Sequence, residues 1–548
     1  MKRYKLIGLI ASAMAVALAA SSCGSAGTST TSVSATSGGG SSQVDNSKFV
    51  TLSMYNFGDP TNDTWKTVQS QIDDYLKNNT NLNCALELHY MTWTNWQTSY
   101  ATLLASSQPI DMVTTASDWL NMWQNAQKGA FYDITNLLPT YAPDLYAGTP
   151  QSVWDLCKFN GKIICTPEDQ YTQWVNQGFM YRNDWAKSAG ITDGISNWDQ
   201  LTQYFSWIKA NKPSVYPWDA GSQNGSYATM DGYLNSYTST IQMAAATDDP
   251  SMWVMKSPTD TTVTCPYTDP EYTSLLIQYA TLMKQWGDAG YFPTNVMNGT
   301  DADATSFKAG TSGVIQHHVQ DFRSFKQQFD TVQQPGADME FFGFWQPSGV
   351  LTKLSVTHGA TAIGAHSQNA GRALEFLNLI YTDKTFYMLF NYGILNQTYF
   401  LNDQGQIYTP TTFDSNKDGY SPDFWGGRLD KFEPPSAIDF PGYQDYSDSL
   451  SKIAVALPFD GCPFDLTSVQ KQVNAVEQVV TSEQNPIAWG KAGDPTAAIN
   501  KFSADLKAAG VDDVTAVLQQ EYDTWKAQQP ANDTSGGGSS DVSSSTAS

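Results

Sequence analysis

The chain has 548 residues, with 30 basic and 53 acidic side chains and a net charge of −23. Nucleic acids and anionic membranes recruit proteins through basic patches, so this charge argues against both as partners. The length is enough for two or three domains, and 17 Trp, 28 Tyr and 25 Phe can fill large cores.

The N-terminus has the pattern of a bacterial export signal. Basic residues in the first five positions precede an apolar run at 6–20, which is too short to span a bilayer comfortably. Cys23 follows small residues as in a lipobox, although Ala20 stands where Leu is usual. We predict a signal peptide at 1–22 and a flexible tether at 23–46 that begins at a lipidated Cys23. The alternative is ordinary signal cleavage beside an incidental cysteine.

The first part of the mature chain alternates strands and helices. Apolar residues alternate with polar ones at 50–55 and 84–90, and a third apolar strand is predicted at 110–114. Helical spacing is found after each strand, at 65–76, 96–104 and 119–128. This βαβαβα order predicts a parallel sheet wrapped by helices, with ligands bound outside the carboxyl ends of its strands.

The remaining elements are predicted by the same rules. Helices are expected at 198–210 and 271–286, a strand at 313–316, a strand at 360–365 and a helix at 370–381. The region 401–447 is polar and rich in Gly, Pro and aromatic residues, as in a long insertion. Two helices close the chain, the first between Pro495 and Gly510, and the Ser- and Gly-rich tail 530–548 is expected to be disordered.

Five cysteines follow Cys23, at 84, 157, 165, 265 and 462, so at least one of them is free or pairs between chains. Asn160-Gly161 is a strong hairpin signal between two of them. A two-residue turn would place Cys157 opposite Ile164, whereas a three-residue loop would place it opposite Cys165. Two buried thiols are the favoured interpretation.

Metal and enzyme signatures are weak. Residues 414–419 match the first half of a calcium loop, but Trp425 stands at position 12 in place of Glu, so a polar turn is favoured over a calcium-stabilised loop. His317 and His318 are expected on opposite faces of a strand, and we predict no metal there. The sequence has no GxSxG, P-loop or GxGxxG motif, so no catalytic residue and no cofactor is predicted.

Several segments carry a family resemblance. Residues 103–112 resemble a motif in which Pro and Asp follow a small-residue turn, and residues 129–135 resemble the motif G-x-L-x-D-L-T that comes after it. Residues 160–167 resemble G-K-I-Y-x-x-P, with Ile164 in place of Tyr. Further similar stretches lie at 373–383, 391–394 and 464–525. Together they resemble family-1 extracellular solute-binding lipoproteins of ABC importers, in the cluster with the C-terminal domain of unknown function found in LipO-like lipoproteins.

The resemblance implies a two-lobed α/β fold of the periplasmic-binding-protein type (type II), with hinged lobes that close over a ligand. Lobe one would comprise 47–168 and 357–400, and lobe two 169–356 and 401–529. The chain would cross between them near Glu168 and near His358. The partners would be a small-molecule ligand and the ABC permease subunits, with the protein lipid-anchored on the extracellular face of the cell membrane.

Aromatic residues and carboxylates at the predicted strand ends and crossings suit an oligosaccharide, whose CH faces stack on rings and whose hydroxyls bind oxygens. The candidates in lobe one are Asn56, Trp93, Trp96, Ser117, Asp118 and Trp119. Those at and after the crossing are Glu168, Asp169, Tyr171 and Trp174, and those in lobe two are Trp218, Asp219, His317 and Trp345. Trp96 has the helical spacing of a residue that packs in the core. Trp93 and Trp119 could equally lie in the core or in the ligand cleft, and Asp118 could instead cap a helix.

Three other functions remain open at this point. The same fold could carry a peptide, because aromatic clefts also hold peptides. A secreted glycoside hydrolase is conceivable because carboxylates are plentiful, although no pair of them stands out. A surface adhesin or sensor without a transport role is the third.

Overall fold

The computed structural model describes residues 45–93, 96–168, 177–221, 226–244, 251–299, 303–410 and 412–529. The strands are β1 (Val50–Phe57), β2 (Cys84–Met91), β3 (Met112–Thr115), β4 (Lys158–Phe159), β5 (Lys162–Ile163), β6 (Cys165–Thr166), β7 (Gln177–Arg182), β8 (Ile241–Gln242), β9 (Val254–Met255), β10 (Val263–Thr264), β11 (Val314–His318), β12 (Met339–Gly343), β13 (Ala360–Ala362), β14 (Phe400–Leu401) and β15 (Ile407–Tyr408).

The helices alternate with these strands along the chain. They are α1 (Thr64–Asn79), α2 (Trp96–Ala105), α3 (Met122–Gln127), α4 (Leu138–Tyr141), α5 (Pro143–Gly148), α6 (Gln151–Leu156), α7 (Asn183–Ser188), α8 (Trp198–Asn211), α9 (Ser226–Tyr237), α10 (Pro270–Asp288), α11 (Asp303–Lys308), α12 (Val319–Gln328), α13 (Ala370–Thr382), α14 (Lys384–Tyr392), α15 (Ser415–Asp418), α16 (Tyr443–Ile453), α17 (Gln470–Ala488), α18 (Pro495–Ala509) and α19 (Val511–Gln528). No helix in the described part of the chain is both long and apolar enough to cross a membrane.

The first sheet has the strand order β2-β1-β3-β13-β6. Strand β1 pairs in parallel with β2 and β3, which confirms the predicted parallel sheet, while β13 is antiparallel to β3 and to β6. Leu52 and Met54 on one face of β1 are fully buried, as their alternation predicts. Since β1, β2 and β3 run in parallel, their carboxyl ends meet at one edge of the sheet.

The second sheet is antiparallel, with the order β11-β7-β12. Its central strand is buried on both faces: Phe179 packs into one core and Met180 into another. This buried stretch begins at Gly178. A glycine is needed there because a Cβ would lie 2.2 Å from the carbonyl oxygen of Phe342. The close approach of β12 therefore excludes any side chain at this position.

Three hydrophobic cores organise the described residues. The first surrounds the five-stranded sheet, and the other two lie on opposite faces of the β11-β7-β12 sheet. Helices α8, α10 and α17–α19 fill the larger of these two. Phe424 and Leu429 pack in the first core, although the sequence analysis placed the whole of 401–529 in lobe two. Apolar side chains in a polar segment pack into the core that lies nearest to them in the folded protein. The sequence around them does not show which core that is.

Local signals place most boundaries correctly. Asp494 caps α18 by accepting a bond from the Ala497 N–H, and Gly510 ends it at φ 92°. The third helix was predicted over 119–128 but begins at Met122. Asn121 precedes it at φ 50°, so residues 117–120 form a turn and Asp118 is not a helix cap.

The Asn160-Gly161 turn sets the register of the β4-β5 hairpin. Both residues have positive φ, 50° and 75°, and the N–H of Ile164 donates to the Cys157 carbonyl at 3.1 Å. The two-residue alternative is thereby confirmed. Cys157 and Cys165 are both fully buried free thiols, and burial raises the pKa of Cys157.

The segment with the partial calcium pattern forms the short helix α15. Asp414 caps this helix by accepting a bond from the Asn416 N–H at 3.1 Å, and the side chains of α15 are exposed. The first acidic position of the pattern is therefore used for capping.

Candidate functional site

The polypeptide passes between the two main sheets from β6 to β7 and returns from β12 to β13. At this junction the Glu168 N–H donates to the Val356 carbonyl at 3.0 Å, and the Ser117 N–H donates to Thr357 at 3.1 Å. The Thr357 hydroxyl also donates to the Ser117 hydroxyl at 2.7 Å. These bonds tie the end of β3 to the returning segment, which we call the crossing (residues 352–359 with Glu168).

Aromatic side chains collect at the carboxyl ends of the parallel strands. Phe57 ends β1, Trp93 follows β2, Trp119 follows β3, and Trp425 joins them from a 3₁₀ turn far along the chain. Ring centroids are 6.1 Å apart for Trp93–Trp119 and 5.8 Å apart for both Trp93–Trp425 and Trp119–Trp425. We call Phe57, Trp93, Trp119 and Trp425 the aromatic wall.

The aromatic wall keeps part of its surface in solvent. Trp93 is 39% exposed and Trp425 is 36% exposed, whereas Phe57 behind them is fully buried. Exposed aromatic side chains that contact one another form a continuous apolar patch, which is a common feature of binding sites. Trp96 packs edge-on against Phe57 and Trp119, in agreement with its helical spacing.

The sequence analysis did not include Trp425 among the ligand-binding candidates, because it lies in the region treated as an insertion. Two glycines allow its close approach to the crossing. A Cβ on Gly426 would meet the Gly359 carbonyl oxygen at 2.5 Å, and a Cβ on Gly359 would lie 2.6 Å from the Glu168 carboxylate and 3.0 Å from the Trp425 Cβ. The sequence Trp-Gly-Gly could have indicated this contact, because two glycines after a large aromatic residue allow another backbone segment to approach closely.

A carboxylate–imidazole pair lies beside the aromatic wall. Asp118 and His358 Nδ1 are 2.7 Å apart, and the indole N–H of Trp119 donates to the His358 carbonyl at 2.9 Å. Burial acts to lower the pKa of His358, but the carboxylates of Asp118 and Glu168 outweigh it and raise this pKa to about 9. The second oxygen of Asp118, Oδ1, is buried with no hydrogen-bond partner among the described residues.

Further carboxylates lie next to these groups. Burial raises the pKa of Asp460, and the charge of Asp118 raises it further. Burial likewise raises the pKa of Asp423, with a smaller contribution from Asp59. Glu168 itself is only 4% exposed. Carboxylates therefore lie near both the crossing and the aromatic wall, and the crossing also contains His358 and the exposed Lys353.

On the side of the second sheet, His317 and His318 lie together and not on opposite faces as predicted. Their ring centroids are 4.2 Å apart, because β11 ends at His318, which turns into the N-cap of α12. Asp321 contacts both: its carboxylate is 2.8 Å from His317 Nδ1, and its N–H donates to His318 Nδ1 at 3.3 Å. Burial, together with the charges of His317 and His358, lowers the pKa of His318 to about 4, so this group lies within electrostatic range of the crossing.

Ligand atoms of His317, His318 and Asp321 lie within 4.8 Å of one another, a spacing that could hold a metal ion. Their donor atoms already have partners, however. The Asp321 N–H bonds His318, His317 bonds the carboxylate, and the charge of Lys308 acts on the same carboxylate. We therefore assign them to charge pairing at the start of α12.

Four candidates from the sequence are buried or half-buried. Asn56 is fully buried, with its amide donating to the Pro422 carbonyl and its oxygen accepting from Thr114. Trp218 is 1% exposed and donates to Asp303, and Trp345 is 8% exposed within the third core. Asp219 is half-buried and accepts a bond from Ser306. The side chains of Asn56, Trp218 and Asp219 are bonded within the protein, whereas the indole N–H of Trp345 is buried with no hydrogen-bond partner among the described residues. Their part in ligand binding stays a prediction.

The structure brings together Trp93, Ser117, Asp118, Trp119 and Glu168, and places His317 on the side of the second sheet. Asp169, Tyr171 and Trp174 lie outside the described residues, as does Cys23.

A family model described as "Bacterial extracellular solute-binding protein" matches residues 59–385, more than half of the chain. The chain belongs to this family. A second model, a domain of unknown function (DUF3502), matches residues 458–527, which include α17, α18 and α19. The resemblance deduced from the sequence is confirmed on both counts.

Relatives and solved structures extend the comparison. A carbohydrate ABC transporter substrate-binding protein of Streptococcus pneumoniae serotype 4 is 22% identical over 545 residues, covering 96% of this chain and 99% of the relative. The N-glycan transport solute binding protein NgtS of S. pneumoniae superposes with a TM-score of 0.66 at 18% identity, covering 88% of this chain and all of that one. A human-milk-oligosaccharide (HMO) binding solute binding protein from Bifidobacterium longum infantis gives 0.56 at 14% identity, covering 87% and 99%. These likenesses confirm the two-lobed solute-binding fold.

Proposed function

We propose that this protein captures an oligosaccharide between the aromatic wall, the crossing and the His317 side of the second sheet, and delivers it to the permease of an ABC importer. The observation that carries the proposal is the aromatic wall, whose exposed indoles meet carboxylates and an imidazolium at the junction of the sheets. Sugars present both CH faces and hydroxyls, so they match this mixture of rings and acceptors.

The similar proteins support a sugar ligand. The S. pneumoniae relative is named as a carbohydrate substrate-binding protein, and the two solved structures are named for N-glycan transport and for HMO binding. We assign Trp93, Trp119 and Trp425 to stacking, and Asp118 and Glu168 to hydrogen bonding at the crossing. Asp169, Tyr171 and Trp174 continue the crossing in sequence and remain candidates.

The two lobes would move as hinged bodies. We place lobe one at 47–168 and 357–400 together with the segment around Phe424 and Leu429, which packs in its core. Lobe two comprises 169–356 and the remaining C-terminal part to 529. Closure would be a population shift towards the state in which ligand contacts both lobes, as in other hinged binding proteins. Catalysis has no place in this scheme.

The ligand class is tested by thermal unfolding of residues 46–529 against panels of oligosaccharides and peptides. A ligand that binds only the folded state stabilises it by about 2.7 kcal/mol at a hundredfold excess over its Kd. A rise in Tm with a glycan class, without product formation, supports the proposal. Rises with peptides alone would replace the sugar by a peptide, and turnover of a glycan would favour a hydrolase.

We also propose that Cys23 is lipidated and anchors the protein on the extracellular face of the cell membrane, with 23–46 as the tether. Two or more acyl chains on one cysteine give stable attachment. Cys23→Ser should move the protein from the membrane fraction to the medium and abolish labelling with palmitate. Unchanged fractionation would contradict the anchor and leave sugar binding unaffected.

A further inference from the structure

We propose that Asn56 and Tyr90 are positioning residues for ligand binding, because they hold the backbone of residues 419–422 and thereby fix Trp425 in the aromatic wall. This inference rests on the proposed function and adds residues that act on the ligand through Trp425. It follows from the hydrogen bonds that join the ends of β1 and β2 to the Trp425 segment (residues 419–425).

The Trp425 segment has little regular secondary structure. Residues 419–424 belong to neither a helix nor a strand, and a 3₁₀ turn begins at Trp425. Asp423 has a φ of 45°, a left-handed conformation that persists in a non-glycine residue where the surrounding structure holds it. Carbonyl groups in such a segment have no strand or helix partner, so donors from elsewhere in the chain have to satisfy them.

These donors come from the ends of two paired strands. Asn56 of β1 and Tyr90 of β2 are direct partners in the parallel register. The Asn56 amide donates to the Pro422 carbonyl at 3.0 Å, and the Tyr90 hydroxyl donates to the adjacent Ser421 carbonyl at 3.1 Å. Partner residues on neighbouring strands present their side chains on the same face, with the strands about 4.8 Å apart. The pair can therefore hold two consecutive residues of the segment.

Asn56 is itself held in one orientation. Its side chain is fully buried, and its amide oxygen accepts a bond from the Thr114 hydroxyl at 3.1 Å. With the oxygen engaged on that side, the NH₂ group faces the Pro422 carbonyl. A further donor, the Asn62 amide, bonds the Gly419 carbonyl at 3.0 Å. The Trp425 segment is thereby tied down at three carbonyl groups.

These bonds determine where the Trp425 indole lies. Phe424 points into the first core, where it is 3% exposed and its ring centroid is 5.4 Å from that of Phe390. Trp425, the next residue, points the other way and contacts two other rings of the aromatic wall. A shift of the backbone at Pro422, three residues earlier, would move the stacking face of the indole. Since Asn56 is fully buried, it affects a ligand through the residues that it holds.

The first test needs no ligand. Hydrogen exchange measured by mass spectrometry reports the local opening of residues 419–428 in the free protein. Asn56→Ala and Tyr90→Phe should each speed exchange in this stretch about fivefold, because each removes a hydrogen bond that holds it. Unchanged exchange in both variants would show that other contacts fix the segment, and the inference would then be wrong.

Two matched controls remove bonds of the same kind elsewhere in the first core. The Asn378 amide oxygen accepts a bond from the Leu145 N–H at 3.0 Å, and the Tyr75 hydroxyl donates to Asp383 at 2.6 Å. Asn378→Ala and Tyr75→Phe should leave both the exchange of residues 419–428 and the sugar affinity as they are in the parent protein. Equal effects of controls and test variants would mean a general loss of stability, and would contradict positioning.

The second test separates positioning from a merely structural role. The Kd of the best glycan from the thermal screen is measured by calorimetry for Asn56→Ala, Trp425→Ala and the double variant. We expect Asn56→Ala alone to raise the Kd about tenfold. In the Trp425→Ala background it should have no further effect, because the indole through which it acts is gone. A full additional loss in the double variant would refute action through Trp425.

Urea unfolding of the same samples shows whether each variant folds. Should Asn56→Ala fail to fold, Tyr90→Phe takes its place in the cycle with Trp425→Ala, since it removes a single hydroxyl. Sugar binding with the Kd of the parent protein in both Asn56→Ala and Tyr90→Phe would overturn the inference and keep the sugar cleft. The absence of binding by every sugar in the parent protein would overturn the proposed function and the ligand-positioning role with it.

Discussion

Trp425→Ala tests the cleft most directly. Trp425 is the residue of the aromatic wall that lies farthest along the chain from the other three. Its ring centroid is 5.8 Å from that of Trp93 and 5.8 Å from that of Trp119. Removing the indole should weaken sugar binding and leave the parallel sheet intact, because the ring lies outside the first core.

The expected loss follows from the exposed surface. A tryptophan side chain offers about 250 Å², and Trp425 is 36% exposed. A sugar ring that covers this part removes about 90 Å² from water, which at about 25 cal/mol per Å² is worth about 2 kcal/mol. The Kd should therefore rise about 30-fold.

The assay is calorimetric titration with the best glycan from the thermal screen, together with urea unfolding of the same samples. Tyr408→Ala is the matched control, because Tyr408 is also 36% exposed but packs on Phe400 in the β14-β15 hairpin. An unchanged Kd in Trp425→Ala, or an equal loss in Tyr408→Ala, would refute the role of the aromatic wall.

Three further predictions concern charge, packing and thiols. Asp118→Asn removes the main partner that raises the pKa of His358 from 6.5 to about 9. In the parent protein the stabilisation is complete below pH 6.5 and is lost as the pH rises through 9. The variant should therefore lose most of this pH-dependent contribution of about 3 kcal/mol between pH 6 and pH 10 in urea unfolding, and parallel profiles would contradict the ion pair. Gly178→Ala should lower the free energy of unfolding by about 3 kcal/mol, since its Cβ would meet the Phe342 carbonyl oxygen at 2.2 Å, and an unchanged urea midpoint would show that β12 can move aside. The five buried cysteines should resist a thiol reagent until urea unfolds the chain, because burial keeps them inaccessible; rapid reaction of the native protein would contradict this packing.

Much of the fold follows from short-range patterns. Alternation of apolar residues defines β1 and β2, Asn160-Gly161 defines the hairpin register, and Asp494 with Gly510 bounds α18. These features depend on interactions over a few residues, and such interactions are written directly in the local sequence. The order of weak motifs along the chain was likewise sufficient to recognise the family.

The candidate site was only partly predictable. Strand ends correctly indicated that Trp93, Asp118 and Trp119 come together, since parallel strands finish at one edge of the sheet. Asn56 lies at the same edge but is covered by Pro422, which is 366 positions later in the chain. Periodicity shows which face of an element is apolar, yet it does not show which distant segment will cover an exposed end.

The sequence by itself determined the alternating elements, the family and the aromatic, acidic character of the strand ends. Only the tertiary structure decided that Trp425 completes the aromatic wall, that His358 pairs with Asp118, and that His317 and His318 lie side by side. The contacts of Trp425 and of His358 join residues separated by long stretches of chain, and they form because the packed cores hold those stretches together. His317 and His318 are neighbours in sequence, and their rings meet where β11 turns into α12. Local propensities act within a few residues, whereas such long-range pairings depend on how the whole chain buries its apolar surface.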